Sequence, residues 1–157
     1  MKSYIFAGIF ALVPSIACSH TAQNIQPNPE AAIVSTSSQS VSNADFSTTQ
    51  ARLEAAIENR GLTLFNKIDH AAGAAKVDLS LAPNTLFIFG NPKAGTPLML
   101  ADPALGLHLP LKANVREQNG QVIVSVSDIR ALASEPNPVV SKIAETLAAI
   151  QNEATGN

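Results

Sequence analysis

Apolar and polar positions alternate in the stretch LTLFNKI, which begins at Leu62. This alternation predicts a strand with Leu62, Leu64 and Ile68 on one face, while Phe65 is exposed on the other face. The next apolar stretch, TLFIF at 85–89, is nearly continuous and is typical of a strand that is covered on both faces.

A β-hairpin is the clearest supersecondary signal in the chain. Two strands, at about 111–117 and 121–127, flank Asn119-Gly120, the pair favoured in two-residue type I′ turns. One face of the second strand is lined by three valines: Val122, Val124 and Val126.

A first helix is predicted from the pattern after Phe46. Ser47 and Gln50 have the spacing of a capping box, with Phe46 at the position of a hydrophobic staple. The helix is predicted to end near Arg60, with Gly61 as its C-cap.

Shorter helical segments are predicted at three places. Asp69 is placed to cap HAAGAAKV, and Asp128 to cap a segment that ends before Pro136. In TPLMLA, Thr96 is the expected N-cap and Pro97 the first helical residue.

A last helix is predicted to follow Asn137-Pro138, over about 139–152, with 153–157 as a disordered tail. Its apolar stripe comprises Val139, Val140, Ile143, Leu147 and Ile150. The segment 32–41 is either an edge strand or more linker. The element order predicts an α+β fold, with helices on one face of a mostly antiparallel sheet. A homodimer is one way to cover the other face.

The N-terminus has the layout of a secretory signal peptide over residues 1–17. Lys2 precedes an uncharged run from Tyr4 to Val13, and small residues follow Pro14. The run is too short to cross a bilayer as a helix, since a span needs about 20 residues. A buried core helix is the alternative interpretation.

Cys18 is the only cysteine in the sequence, so no disulfide can form within the chain. Its position after Ile16-Ala17 resembles the lipobox of bacterial lipoproteins, although Ser15 stands where a large aliphatic residue is usual. Ordinary cleavage after Ala17 fits as an alternative. Residues 18–32 are predicted to be a flexible tether. The protein is therefore expected in the periplasm or on the outer membrane as a lipoprotein, or else secreted.

The charge pattern argues against nucleic acid as a partner. The chain has 10 basic and 12 acidic side chains, and its basic residues form no cluster that could neutralise phosphates. Its three histidines are dispersed and show no metal-ligand spacing, so neither a metal nor another cofactor is expected.

The segment GNPKAGTP, residues 90–97, resembles a phosphate-binding loop because Gly90 and Gly95 are separated by four residues. Thr96 stands where that motif requires Lys, and Pro92 removes a backbone donor. We therefore expect a turn after a buried strand, with a weaker anion or ligand site at Lys93 as the alternative.

Asp69 and His70 are the only adjacent acid and imidazole. His70 could transfer protons or bind a metal. Neighbours in a helix do not face each other, however, so a helix cap beside an exposed histidine is the favoured interpretation. No set of side chains suggests catalysis.

Three stretches, IDHAAGAAK, IFGNPKAGTPLM and GLHLPLK, resemble in order and spacing the family called domain of unknown function 302 (DUF302). The resemblance covers about residues 33–135, and the last helix and the export signal are additions to it; with that helix, the predicted DUF302-like α+β domain spans residues 33–152. It implies an α+β unit in strand-helix-four-strand-helix order, of the TBP-like type, which dimerises. It implies no established activity.

These observations predict an exported, non-enzymatic binding or assembly domain that forms a homodimer. The alternative is a small-ligand or anion site, or an enzyme, in which the 90–97 segment meets Asp69, His70 and Lys112. Its binding residues would include Gly90, Asn91, Lys93 and Gly95.

Overall fold

The computed structural model describes residues 37–132 and 137–157. The predicted signal peptide, Cys18 and the predicted tether at 18–32 lie outside the described residues. Among the described residues, no helix is both long and apolar enough to cross a bilayer.

Five strands form one antiparallel sheet with the spatial order β1-β5-β4-β3-β2. The strands are β1 Ser37–Val41, β2 Thr63–Asp69, β3 Asn84–Gly90, β4 Leu111–Gln118 and β5 Gln121–Ser127. The described part also contains the helices α1 Phe46–Glu58, α2 His70–Ala75, α3 Pro92–Ala101 and α4 Pro138–Thr155, and short 3₁₀ turns at Pro103–Leu107 and Ile129–Leu132. The predicted α+β class is confirmed, and the 32–41 segment contributes an edge strand.

The hydrophobic core lies between one face of the sheet and the helix pair α1 and α4. Alternate strand residues point into it, as the period of two requires, and meet one apolar stripe of each helix. Its largest fully buried apolar side chains are Phe87, Phe89, Val115 and Val124 from the sheet and Leu53, Ile57, Leu147 and Ile150 from the helices. Burial of each such side chain contributes about 1.5–3 kcal/mol.

A β-bulge interrupts β2. Leu64 pairs with Phe89 and Asn66 with Ile88, so that Phe65 is an extra residue without a partner in the register. The bulge places Leu64 on the core face and Ile68 on the opposite face. The prediction that Leu64 and Ile68 share a face is therefore wrong, because one inserted residue reverses the alternation.

Strand β3 is fully covered on one face only. Phe87 and Phe89 are completely buried, whereas Leu86 and Ile88 on the opposite face are half-buried. The expectation of a strand covered on both faces is not met within a single chain. We call the surface that carries Leu86 and Ile88 the open face of the sheet.

The hairpin prediction is confirmed. Gln118 pairs with Gln121 across the two-residue turn. Asn119 and Gly120 have φ values of 53° and 75°, the positive angles that a type I′ turn requires at both central residues.

The start of α1 differs from the prediction. Asp45, not Ser47, is the N-cap: its carboxylate accepts a hydrogen bond of 2.8 Å from the Thr48 backbone N–H. The Ser47 hydroxyl also donates to Asp45. Ser and Asp are both good N-caps, and the sequence pattern did not distinguish the two positions.

The end of α4 also differs. The prediction of a disordered tail at 153–157 is wrong, because α4 continues to Thr155 and Gly156 caps it with φ 75°. The Asn157 side chain then donates to the Val41 carbonyl of β1 at 3.3 Å. Four residues of the predicted stripe face the core, and Val139 is exposed.

Candidate functional site

The GNPKAGTP segment joins β3 directly to α3. Gly90 ends the strand, Asn91 is the N-cap of the helix, and Pro92 is the first helical residue. The predictions of a turn and of a helix with Thr96 as N-cap and Pro97 as first helical residue are both wrong. Pro92 suits a first helical position as well as Pro97 does, and Asn91 is the stronger N-cap.

The backbone at the start of α3 has no free donor for an anion. Pro92 lacks an N–H, and the Asn91 side chain accepts from the Lys93 N–H at 2.9 Å. The N–H groups of Ala94 and Gly95 both donate to the Asn91 carbonyl, at 3.0 and 2.9 Å. A phosphate cradle needs several unpaired N–H groups, so this helix start does not support one.

A cavity of about 620 Å³ lies beside this helix start. It is half open and is lined by the first turns of α3, the bulge of β2, the segment before β4, the residues that follow α1 and the first half of α4. Its volume is within the range of about 300–1,000 Å³ that is usual for small-molecule sites.

Apolar side chains form most of the wall. Phe65 reaches the cavity from the bulge, Met99 from α3, and Leu109 from the segment that precedes the cis peptide bond before Pro110. Gly90 and Gly95 also line the cavity and add no side chain to its wall. A Cβ on Gly95 would lie 3.8 Å from Leu109 Cδ1.

The polar groups of the wall are few and mostly paired. Asn91 caps α3, and the Thr146 hydroxyl donates to the Lys142 carbonyl at 2.9 Å. Arg60 forms a two-pronged ion pair with Glu153. This pair raises the pKa of Arg60 and lowers that of Glu153, chiefly through the hydrogen bonds between them.

The residues predicted to share a site with the 90–97 segment do not meet it. Asp69 pairs with Thr85, five residues before Gly90 on the same strand. At the rise of an antiparallel strand, that separation is about 17 Å. Asp69 instead caps α2 by accepting from the Ala72 N–H at 2.9 Å, as predicted, and His70 is exposed beside it.

Lys112 is near the same end of β3 but on the other side of the sheet. It pairs with Ile88 on the open face, and its ammonium donates to the carbonyls of His108 and Pro110, each at 3.1 Å. Lys93 is exposed on α3 and does not line the cavity. Of the predicted binding residues, only Gly90, Asn91 and Gly95 belong to the wall.

The sequence contained one signal for this cavity. Phe65 interrupts the alternation of its strand, and the structure places it at the cavity wall. Nothing in the local sequence indicated that Leu109 and Ile143 would line the same cavity as Phe65, because these residues come from distant segments of the chain. Within 37–132 and 137–157, no three His, Cys, Asp or Glu side chains form a group able to hold a metal ion.

The fold is that of a solved structure. The uncharacterized conserved protein DUF302 from Bacillus stearothermophilus superimposes with a TM-score of 0.71, over 76% of this chain and 98% of that one. At 17% sequence identity, the likeness concerns the fold alone.

Part of the chain resembles two longer proteins of Brucella. The fluoride-specific ion channel FluC 1 of Brucella suis biovar 1 and that of Brucella abortus biovar 1 are each 41% identical to it over 83 residues. The match covers 52% of this chain but only 33% and 31% of those proteins, so the chain spans about a third of their length.

The sequence profile of the family described as "Domain of unknown function DUF302" matches residues 38–154. The match extends beyond the 33–135 range expected from the motifs and includes α4, which is therefore part of the family domain and not an addition to it. The chain belongs to the DUF302 family.

Proposed function

We propose that this domain is a non-enzymatic binding module that holds a small apolar molecule in the cavity beside α3. The observation that supports this most directly is the apolar wall of a ligand-sized cavity, built from five separate segments. The described residues that line it include no Asp, Glu, His or Cys, so this part of the wall offers no carboxylate, imidazole or thiol for acid–base or nucleophilic chemistry.

Filling the cavity tests this proposal. Gly95→Leu directs a side chain towards Leu109 and should abolish binding of a neutral apolar fluorophore such as N-phenyl-1-naphthylamine. Gly73→Leu is the matched control, because a Cβ at Gly73 meets no atom within 4 Å and the residue lies on α2, away from the cavity. If Gly95→Leu, Gly73→Leu and the protein without substitutions bind the fluorophore equally well, the proposal is wrong.

A second function, assembly as a homodimer, is supported by the open face. Leu86 and Ile88 are half-buried there, and Ile68 next to them is 38% exposed. A second copy that covers the open face would remove this surface from water.

Light scattering after size-exclusion chromatography measures the assembly. Leu86→Lys on the open face should convert a dimer to a monomer, because the new charge would be buried at the interface. Val139→Lys, at an exposed position of α4, should leave the mass unchanged. If the protein without substitutions is a monomer at high concentration, the proposal of a homodimer is wrong.

The proposed location is the periplasm or a membrane surface, reached by export and, through Cys18, by lipid attachment. The likeness to part of proteins named as ion channels supports a role beside a membrane. Since the match covers about a third of those proteins, channel activity is not carried over. Mass spectrometry of the mature N-terminus tests the anchor, and an unmodified Cys18 amine would exclude it.

A further inference from the structure

The charged side chains that line the cavity are basic. Among residues 37–132 and 137–157, its lining includes two cationic side chains, Arg60 and Lys142, and no carboxylate, although Glu153 and Glu145 lie next to these cations outside the lining. A wall of this kind favours a ligand that carries a negative group, provided that one of the two cations is not already neutralised by its neighbouring carboxylate.

The two cations differ in their availability. Arg60 donates to both carboxylate oxygens of Glu153 and to the Ala56 carbonyl at 2.9 Å, so its charge is paired and three of its five N–H donors are used. Within the part of the chain that the structure describes, the Lys142 ammonium has one carboxylate within 4 Å, that of Glu145 at 3.9 Å, and its side chain is 80% exposed. Lys142 is therefore the cation that can turn to meet a ligand.

We propose that the ligand is an amphipathic carboxylate of the fatty-acid type. Its alkyl chain would lie against Phe65, Met99 and Leu109, and its carboxylate would pair with Lys142 at the mouth. This inference rests on the proposed function and adds to it the chemical class of the ligand. The apolar wall binds the alkyl chain, and the single available cation selects the head group.

The arrangement of the elements is consistent with an unbranched chain. Gly95 is half-buried on α3 and leaves backbone where another residue would project a side chain, while Gly90 is buried: a Cβ there would lie 3.4 Å from Phe65 Cε2 and 3.7 Å from Pro110 Cβ. The side of the cavity next to α3 is thus close to backbone, and a methylene chain fits against it better than a bulky group.

Three ligands of one chain length test the head group on the full mature protein. Decanoate, decanol and decyltrimethylammonium, each below its micelle concentration, are titrated by calorimetry at low salt. Decanoate should bind about fivefold more tightly than decanol, the upper end of what one exposed ion pair contributes, and the cation should bind least. Added salt to 0.5 M should reduce the preference by screening.

Variants separate this inference from the function on which it rests. Lys142→Gln should lower the affinity for decanoate to that for decanol and leave decanol binding unchanged, while Lys93→Gln, an exposed lysine outside the wall, should change neither. Gly95→Leu should abolish both. If decanoate and decanol bind equally and Gly95→Leu abolishes both, the proposal of a carboxylate ligand is wrong, and the proposal that the cavity binds an apolar molecule stands. No binding of any of the three would overturn both.

Discussion

Gln151 of α4 and Ser38 of β1 are joined by two hydrogen bonds across the end of the core. The Ser38 hydroxyl donates to Gln151 Oε1 at 2.8 Å, and Gln151 Nε2 donates to the Ser38 carbonyl at 3.2 Å. The same Nε2 donates to the Val124 carbonyl of β5 at 2.8 Å. One buried amide thus ties the last helix to the edge strand and to its neighbour.

Replacement of this amide should be costly. Gln151→Leu would leave the Val124 carbonyl without its side-chain partner inside the core, and the loss should be about 1–3 kcal/mol of unfolding free energy. Urea denaturation measures it. Asn152→Leu, at the exposed neighbouring position, is the control and should change stability by less than about 0.5 kcal/mol. Similar midpoints for the two variants would contradict a structural role for Gln151.

The N-cap of α1, Asp45, should make the folding stability of the protein depend on pH in the acid range. The Thr48 backbone N–H, and then the hydroxyl of Ser47, lower the pKa of Asp45 from 3.8 to about 2. Because the folded pKa lies below the unfolded one, the stabilisation is present above the unfolded value and is lost as the pH falls from 3.8 through 2.

Urea midpoints of the unchanged protein and of Asp45→Asn, measured from pH 6 to pH 2, check this linkage. Asn keeps the cap acceptor but cannot titrate, so the advantage of Asp45 should shrink over the acid range. Glu58→Gln, at the other end of the same helix, controls for the loss of one negative charge. A difference between Asp45 and Asn that is constant with pH would refute the linkage.

Local chemistry was enough to predict some elements and not others. The hairpin at Asn119-Gly120 was predictable because its turn requires two residues that tolerate positive φ, and few pairs do so. The bulge at Phe65 was not, because periodicity assumes that no residue is inserted. The start of α3 was misplaced because Asn91-Pro92 and Thr96-Pro97 carry the same start signal five residues apart, and the sequence alone did not choose between them.

The candidate site was less predictable than the fold. Its cavity is lined by residues from five segments that only the tertiary structure brings together, so no spacing in the sequence could indicate it. Asp69, His70 and Lys112 are polar and lie within the motifs, and the sequence offers no other reason to place them in one site. The sheet register places the first two far along β3 and the third on the open face.

The helical setting of Gly95 reverses an expectation from the sequence. A turn would make replacement by Ala destabilising, but Gly95 lies inside α3 and its φ is not positive. Gly95→Ala should therefore stabilise the protein by up to about 1 kcal/mol, as Ala does over Gly in a helix. Gly120→Ala, at φ 75°, should instead destabilise it by about 1 kcal/mol. Thermal melts in the absence of ligand would detect both changes. Destabilisation by Gly95→Ala would contradict the helical setting of Gly95 and favour the turn that the sequence predicts for residues 90–97.

The end of α4 should be sensitive to a single added carbon at Gly156. Its φ is 75°, and a Cβ there would lie 2.5 Å from Asn43 Oδ1 and 2.8 Å from Arg52 Nη1. Those two groups are themselves hydrogen-bonded at 2.8 Å, and the Asn43 amide donates to the Gly156 carbonyl at 2.9 Å, so the added carbon would displace a connected set.

Gly156→Ala should cost more than about 1 kcal/mol, since it combines left-handed backbone strain with this clash. For a domain of this size, the melting temperature should fall by about 4 °C. Gly73→Ala is the control: a Cβ at Gly73 meets nothing within 4 Å, so the better helix propensity of Ala should leave stability equal or raised. If residues 153–157 were a disordered tail, Gly156→Ala would not change the melting temperature. That result would favour the tail that the sequence predicts.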